Sequence, residues 1–281
     1  MNPVEAAEQA LRVGDLALAL QQLQDGVRAQ PANPKLRVFL FQLLCVDAQW
    51  PRAANQLKVC GELDASTLPM VNTYREALQC EALREAVFAG QTTPMVFGQP
   101  QAWVAWLVEA LQADARGDTA TAAKLRAQAL EAAPATSGTL NGEAFEWIAD
   151  ADSRLGPVLE VIINGRYGWV PFASLAQVQI EAPADLRDLV WMPAHLTLPN
   201  GGETVALIPT RYPALPQEAD GQLRLARRTE WVPLDPSRED QYRGEGLRVL
   251  TTDQSEVGLL DVRELVLNPA APSPAATDPS A

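Results

Sequence analysis

The chain has 281 residues, of which 47% are hydrophobic, and a formal net charge of −13. So acidic a surface repels phosphate backbones, and the densest basic cluster (Arg224, Arg227, Arg228) is followed at once by Glu230, which argues against nucleic-acid binding. The apolar stretches at 38–41 and 102–108 stop far short of the ~20 residues a membrane span needs.

Residues 5–30 carry apolar groups at helical spacing, broken at Gly14-Asp15, where glycine can end one helix and aspartate cap the next. Pro31 closes the unit. The layout returns at Gly117-Asp118 and Pro134, with 17 residues from Gly to Pro in both copies and an alanine (Ala19, Ala122) five after each Gly. That spacing is the back half of a tetratricopeptide-like helical hairpin, in which a small residue lets two helices approach closely. Between these copies, helices are predicted over 35–47, 52–63, 69–89 and 99–115, with Pro51 suited to a first helical turn.

The pattern changes after Ala135. A short helix is predicted over 144–152, and from Val158 the apolar period shortens towards two. The β-branched run 158–163 leads into Asn164-Gly165, a strong hairpin signal, with Tyr167, Trp169 and Val170 on the return strand. Further strands are predicted around 178–180, 189–191, 196–198, 205–208, 223–231, 247–250 and 257–260, with a tight turn at 200–202. Residues 213–221 read as a loop. Residues 268–281 hold four prolines and no large apolar side chain, and are expected to be a disordered tail. The fold expected is α+β: a tetratricopeptide-like helical repeat domain (1–135), then a small antiparallel β-rich barrel or sandwich domain (136–267).

Chemistry is sparse. Cys45, Cys60 and Cys80 are widely spaced without a CxxC, so reduced core thiols are expected rather than a disulfide framework or zinc cluster. His195, the single histidine, has no G-x-S-x-G elbow or companion histidines to serve. Walker and dinucleotide fingerprints are absent, and no cofactor is expected. The acidic segment 143–152 offers Glu146 and Asp150 one helical turn apart, together with Asp152. These carboxylates can be structural, with Arg154 pairing a neighbouring acid, or contact a protein partner, or hold a hard cation for metal-dependent or acid–base chemistry. Trp147, Trp169 and Trp191 read as core residues. Phe39 and Phe41 lie on a helix apolar all round, and Trp50, Asn55 and Lys58 on or beside the next. A groove between such helices can take a peptide helix, and Phe39, Phe41, Trp50, Asn55, Lys58, Glu146, Asp150 and Asp152 are the candidate partner-binding residues. The residues by themselves point to a non-catalytic interaction protein. The N-terminus shows no secretory signal, so a cytoplasmic location is expected.

Three blocks carry a family likeness: FLFQLLCVDAQWPRAANQLKVCGELD from residue 39, FEWIADADSRLGPVLEVIINGRYGWVPF from residue 145, and ADLRDLVWMPAHLTLPNGGETVALIPTRYP from residue 184. Together they resemble the ImpE/SciE family, also called TagJ, over roughly residues 5–213 and fading beyond Pro213. The resemblance implies an accessory role in bacterial type VI secretion: an adaptor that contacts a helix of the small sheath protein and links it to the sheath-recycling AAA+ ATPase ClpV. A regulatory chaperone sharing the same binding physics is the alternative client relationship.

Overall fold

Side-chain caps begin the helices where local chemistry predicts them. In the computed structural model, which describes residues 2–99, 101–213, 220–236 and 240–268, Asn2 accepts from Val4 N–H to open α1 (Pro3–Val13). Gly14 ends that helix in the left-handed region, at φ +84°, and Asp15 accepts from Leu18 N–H to start α2 (Leu16–Ala29). Asn33 caps α3 (Pro34–Val46), and α4 (Trp50–Leu63) has Pro51 in its first turn. A single 3-10 turn leads into α5 (Leu68–Phe88). After a two-residue strand, β1 (Met95–Val96), α6 (Ala102–Ala115) and α7 (Thr119–Ala132) repeat the first hairpin: Gly117 has φ +77° and Asp118 accepts from Thr121 N–H. Ala19 and Ala122 are both fully buried, as close helix packing requires.

The chain then turns to strands: β2 (Ser137–Leu140), β3 (Glu143–Phe145), β4 (Ile148–Asp150), β5 (Val158–Ile163), β6 (Arg166–Pro171), β7 (Gln177–Ile180), β8 (Trp191–Thr197) and β9 (Glu203–Pro209). A four-residue helix, α8 (Gly221–Arg224), precedes β10 (Thr229–Pro233), β11 (Tyr242–Gly246), β12 (Val249–Thr252), β13 (Glu256–Gly258) and β14 (Glu264–Asn268). Nine strands form one sheet in the order β1-β6-β5-β9-β8-β7-β14-β2-β3, antiparallel throughout except for β1 on β6. Strands β13-β12-β4 and β10-β11 make two smaller sheets. Helices followed by a sheet-rich region make the chain α+β.

Four local expectations are corrected. Residues 144–152 are not a helix. The turn at Asn141-Gly142 folds β3 back on β2 (Gly138 opposite Phe145), and β4 pairs with β12 (Asp150 opposite Leu250), so long-range ladders override local preference. The two strands predicted around His195 are one strand, β8, with 186–189 a 3-10 turn before it. Residues 223–231 begin in a short helix capped by Asp220 and become a strand only at Thr229. Asn268 ends β14; the rest of the expected tail, 269–281, and most of the expected 213–221 loop lie outside the described residues.

The sheet is buried on both faces around β5 and β6. Val158, Ile162, Tyr167 and Trp169 join the helical core with Leu40, Phe41, Tyr74 and Leu107. Leu159, Val161 and Val170 point to a second core built with Met192, Ile208, Leu250 and Leu265. Arginines tie the layers together. Arg211 donates to Cys45 and Val46 carbonyls at the end of α3, and Arg227 to Leu11 and Arg12 carbonyls at the end of α1. Arg224 reaches the Asp47 carbonyl and carboxylate. The last carbonyls of a helix have no partner within it and carry the negative end of its dipole, so a guanidinium satisfies both needs. Two members of the exposed-looking cluster 224–228 thus serve as staples between helices and sheet. Gly221 is forced by the same contact: a Cβ there would run into the carbonyl oxygen of Gly14.

Candidate docking groove and a buried charge network

Helices α4 and α5, joined by their tight turn, enclose an open groove of about 750 Å³. Its floor is apolar, with Leu57, Val71 and Leu78 all buried. Exposed Asn55 and Lys58 stand on the α4 rim, and exposed Leu68 and Arg75 on the α5 rim. Lys58 lies 3.8 Å from Glu62 in an open ion pair, which leaves its charge available to a partner. Half-buried Trp50 closes one end. Its indole N–H donates to Glu85 Oε1 at 2.9 Å and its ring tilts against Trp191 with centroids 5.9 Å apart. Gly61 sits opposite Val71, a close approach that a side chain would strain.

Between α5 and the sheet lies a network of four buried carboxylates (Glu81, Asp150, Asp152, Glu160) and four buried guanidiniums (Arg84, Arg154, Arg211, Arg248). Glu160 projects from the helix-facing side of β5. It accepts two bonds from Arg84 (2.8 and 3.0 Å), one from Tyr167 O–H (2.6 Å) and one from Arg248. Arg84 also meets Glu81, which accepts the Trp191 indole N–H at 2.7 Å. Arg248 bridges to Asp150, whose other oxygen accepts from Tyr212 O–H (2.9 Å) and Asp152 N–H (2.9 Å). Asp152 grips Arg154 and the Gly244 N–H.

At Glu160 and Asp150 burial pushes the carboxyl upward, and the neighbouring charges decide the outcome. For Glu160 the burial effect is outweighed by Arg84 and Arg248, which hold it down to about 2. For Asp150 burial wins over Arg248, Asp152 adds repulsion, and the carboxyl rises to about 6. Burial also raises the thiols, Cys60 and Cys80 to about 11, so all three free cysteines are inert core groups, as expected.

A relative from Pseudomonas aeruginosa, named type VI secretion system accessory component TagJ, is 55% identical over 263 residues, covering 94% of this chain and 91% of that protein. This chain belongs to the ImpE family. The profile of that family, described as ImpE protein, matches residues 142–266, so the likeness continues well past Pro213, where the sequence blocks alone lose it. The crystal structure of protein VPA1032 from Vibrio parahaemolyticus shares the fold at a TM-score of 0.84 with 25% identity, covering 93% of this chain and 97% of that one.

The ImpE-family structure separates the candidate partner residues into three groups. Trp50, Asn55 and Lys58 come together on the groove. Phe39 is half-buried on the core, and Phe41 is wholly inside it against Tyr74, so Phe41 cannot meet a partner while the fold is intact. Glu146, Asp150 and Asp152 are not brought together on one surface. Glu146 is exposed on a turn where its N–H donates to Asp253, whereas Asp150 and Asp152 are buried with their oxygens committed to Arg248, Tyr212 and Arg154. Among the described residues no group of three His, Cys, Asp or Glu is placed to hold a metal ion. The Asp152–Arg154 pairing is the structural alternative for this segment. Trp169 and Trp191 are core residues, but Trp147 is 40% exposed and is corrected to a surface position. Sequence reasoning missed Leu68 and Arg75 on the far wall of the groove; an exposed leucine opening a helix was their one local signal. Among the described residues no helix is long and apolar enough to cross a membrane.

Proposed function

We propose that this chain is an accessory component of a type VI secretion system that works as a non-catalytic, cytoplasmic adaptor. In this reading the α4/α5 groove takes an amphipathic helix of the small sheath protein, and the assembly is handed to the AAA+ ATPase ClpV. The tetratricopeptide-like helical part, 1–135, supplies the groove, and the β-rich part, 136–267, braces it. The observation that carries the proposal is the groove itself: an apolar floor of Leu57, Val71 and Leu78 with Asn55, Lys58 and Arg75 on its rims, which fits one face of an amphipathic helix. Membership of the ImpE family and the name of the P. aeruginosa relative supply the cellular setting.

The test is titration of the purified chain with the small sheath protein and, separately, with the ATPase. Lys58→Glu and Leu68→Asp should each weaken sheath-protein binding at least about tenfold, with the circular dichroism spectrum unchanged. Full affinity in both variants, or no binding to either protein, overturns the reading.

A further inference from the structure

A second groove, of about 410 Å³, shares no lining residue with the first and has a different construction: one wall is α6 and the other is the segment leading into β1, the edge strand of the large sheet. Val104 and Val108 form its buried base, and exposed Ala105 and Glu109 line its helical rim. The decisive feature is backbone. Phe97 donates its N–H to Trp169 O at 2.8 Å, and Val96 stands opposite Trp169 in the parallel pairing. Successive residues of a strand turn their N–H and C=O to opposite sides, so Val96 presents both groups to the open edge, away from β6. Among the described residues neither group has a hydrogen-bond partner.

We infer that this groove binds a short extended polypeptide segment, which adds to β1 as a further strand and rests its side chains against α6. An unpaired strand edge selects main chain in the β conformation, and the helix opposite selects small apolar side chains at alternate positions. Glu109 is the single charged residue on the lining and is exposed, so it favours a segment with Lys or Arg in register with it. A second copy of this chain fits less well. Two chains of net charge −13 repel, whereas a basic segment does not.

The experiment pans the full chain against a random peptide library on phage, then titrates labelled enriched peptides by fluorescence anisotropy. Ala105→Arg fills the groove from an exposed helix position. Val96→Pro removes the open-edge N–H without touching the β1–β6 bonds. Enriched peptides should carry a basic residue and lose about tenfold or more in affinity for both variants. They should keep their affinity for Lys58→Glu, and should fail when N-methylated on one alternate set of residues but not the other. An empty selection, undiminished binding to Ala105→Arg, or indifference to N-methylation overturns the inference. So does loss of binding in Lys58→Glu, which would put the peptides in the α4/α5 groove, and so does self-association abolished by Ala105→Arg, which would make a second copy the occupant. Because Ala105→Arg and Val96→Pro lie outside the α4/α5 groove, failure here leaves the sheath-protein titration unaffected.

Discussion

Glu160 and Asp150 are both buried, both paired with Arg248, and predicted to respond oppositely to neutralisation. Glu160 is held at about 2, roughly two units below an ordinary glutamate, so folding favours its charged form by about 3 kcal/mol. Asp150 is raised to about 6, roughly two units the other way, so folding opposes its charged form by a similar amount. Glu160→Gln removes the charge that compensates both Arg84 and Arg248, and at pH 7 it should cost about 3–5 kcal/mol, the range for breaking a buried pair. Asp150→Asn gives up one charge-assisted hydrogen bond to Arg248, about 1.5–3 kcal/mol, while escaping an ionisation penalty of similar size, so little net loss is expected at pH 7. The pH dependence follows. Because its folded pKa lies above the unfolded value, Asp150 contributes stability that is fully present below about pH 4 and is lost as pH rises through 6. The lead of the native chain over Asp150→Asn should therefore shrink between pH 4 and 7. Glu160 behaves inversely, its contribution being present above about pH 4.5 and lost as pH falls towards 2. Urea unfolding at constant m gives both quantities. Equal losses for the two variants at pH 7, or a loss under about 1 kcal/mol for Glu160→Gln, would refute the assignment of charge within this network.

Phe41→Ala should destabilise the fold by about 3–5 kcal/mol, since a fully buried ring leaves a cavity against Tyr74, yet the folded fraction should bind the sheath protein normally. Trp50→Ala should do the reverse, costing more than about 1 kcal/mol of binding free energy by calorimetry. Arg211→Met removes the guanidinium that donates to the Cys45, Val46 and Arg224 carbonyls and should lower stability by about 3 kcal/mol or more in denaturant titration. Gly221→Ala drives a methyl into the Gly14 carbonyl and should lower the melting temperature by several degrees, from an overpacking cost of about 1–3 kcal/mol.

What the sequence disclosed was whatever local chemistry decides. Gly14-Asp15 and Gly117-Asp118 end and restart helices through their own φ angles and caps, and Asn164-Gly165 takes positive φ at both positions to close the β5–β6 hairpin. Those elements needed no distant partner. Residues 144–152 did: their strands exist because β2 and, about a hundred residues onward, β12 offer pairing edges. The charge network was hidden for the same reason. Glu160 interrupts the apolar run of β5, an anomaly visible in sequence, but Arg84 lies 76 residues before it and Arg248 88 after. Half of the groove was legible, because Trp50, Asn55 and Lys58 share one helix; the opposing wall depends on how α5 folds back.

Helix α5 explains why a groove and a charge network occupy the same part of the molecule. Its first half turns Leu68, Val71, Arg75 and Leu78 to the groove, while Glu81 and Arg84, further along, turn to the sheet. Glu85 joins the two by accepting the indole N–H of Trp50 at the groove's end. Apolar packing alone fixes a helix weakly against sliding, since one methyl group replaces another at little cost. Arg84 does not permit this, because its bidentate bond to Glu160 is met at one register and is costly to leave unmade in a buried setting. The Arg211 bonds to the end of α3 hold the neighbouring hairpin in the same way. Burying eight charges stabilises little in total, for desolvation offsets most of the attraction. What the network supplies is position: a groove wall fixed to the sheet, which on the proposed reading offers a partner helix a preformed surface and lowers the free energy lost in ordering it.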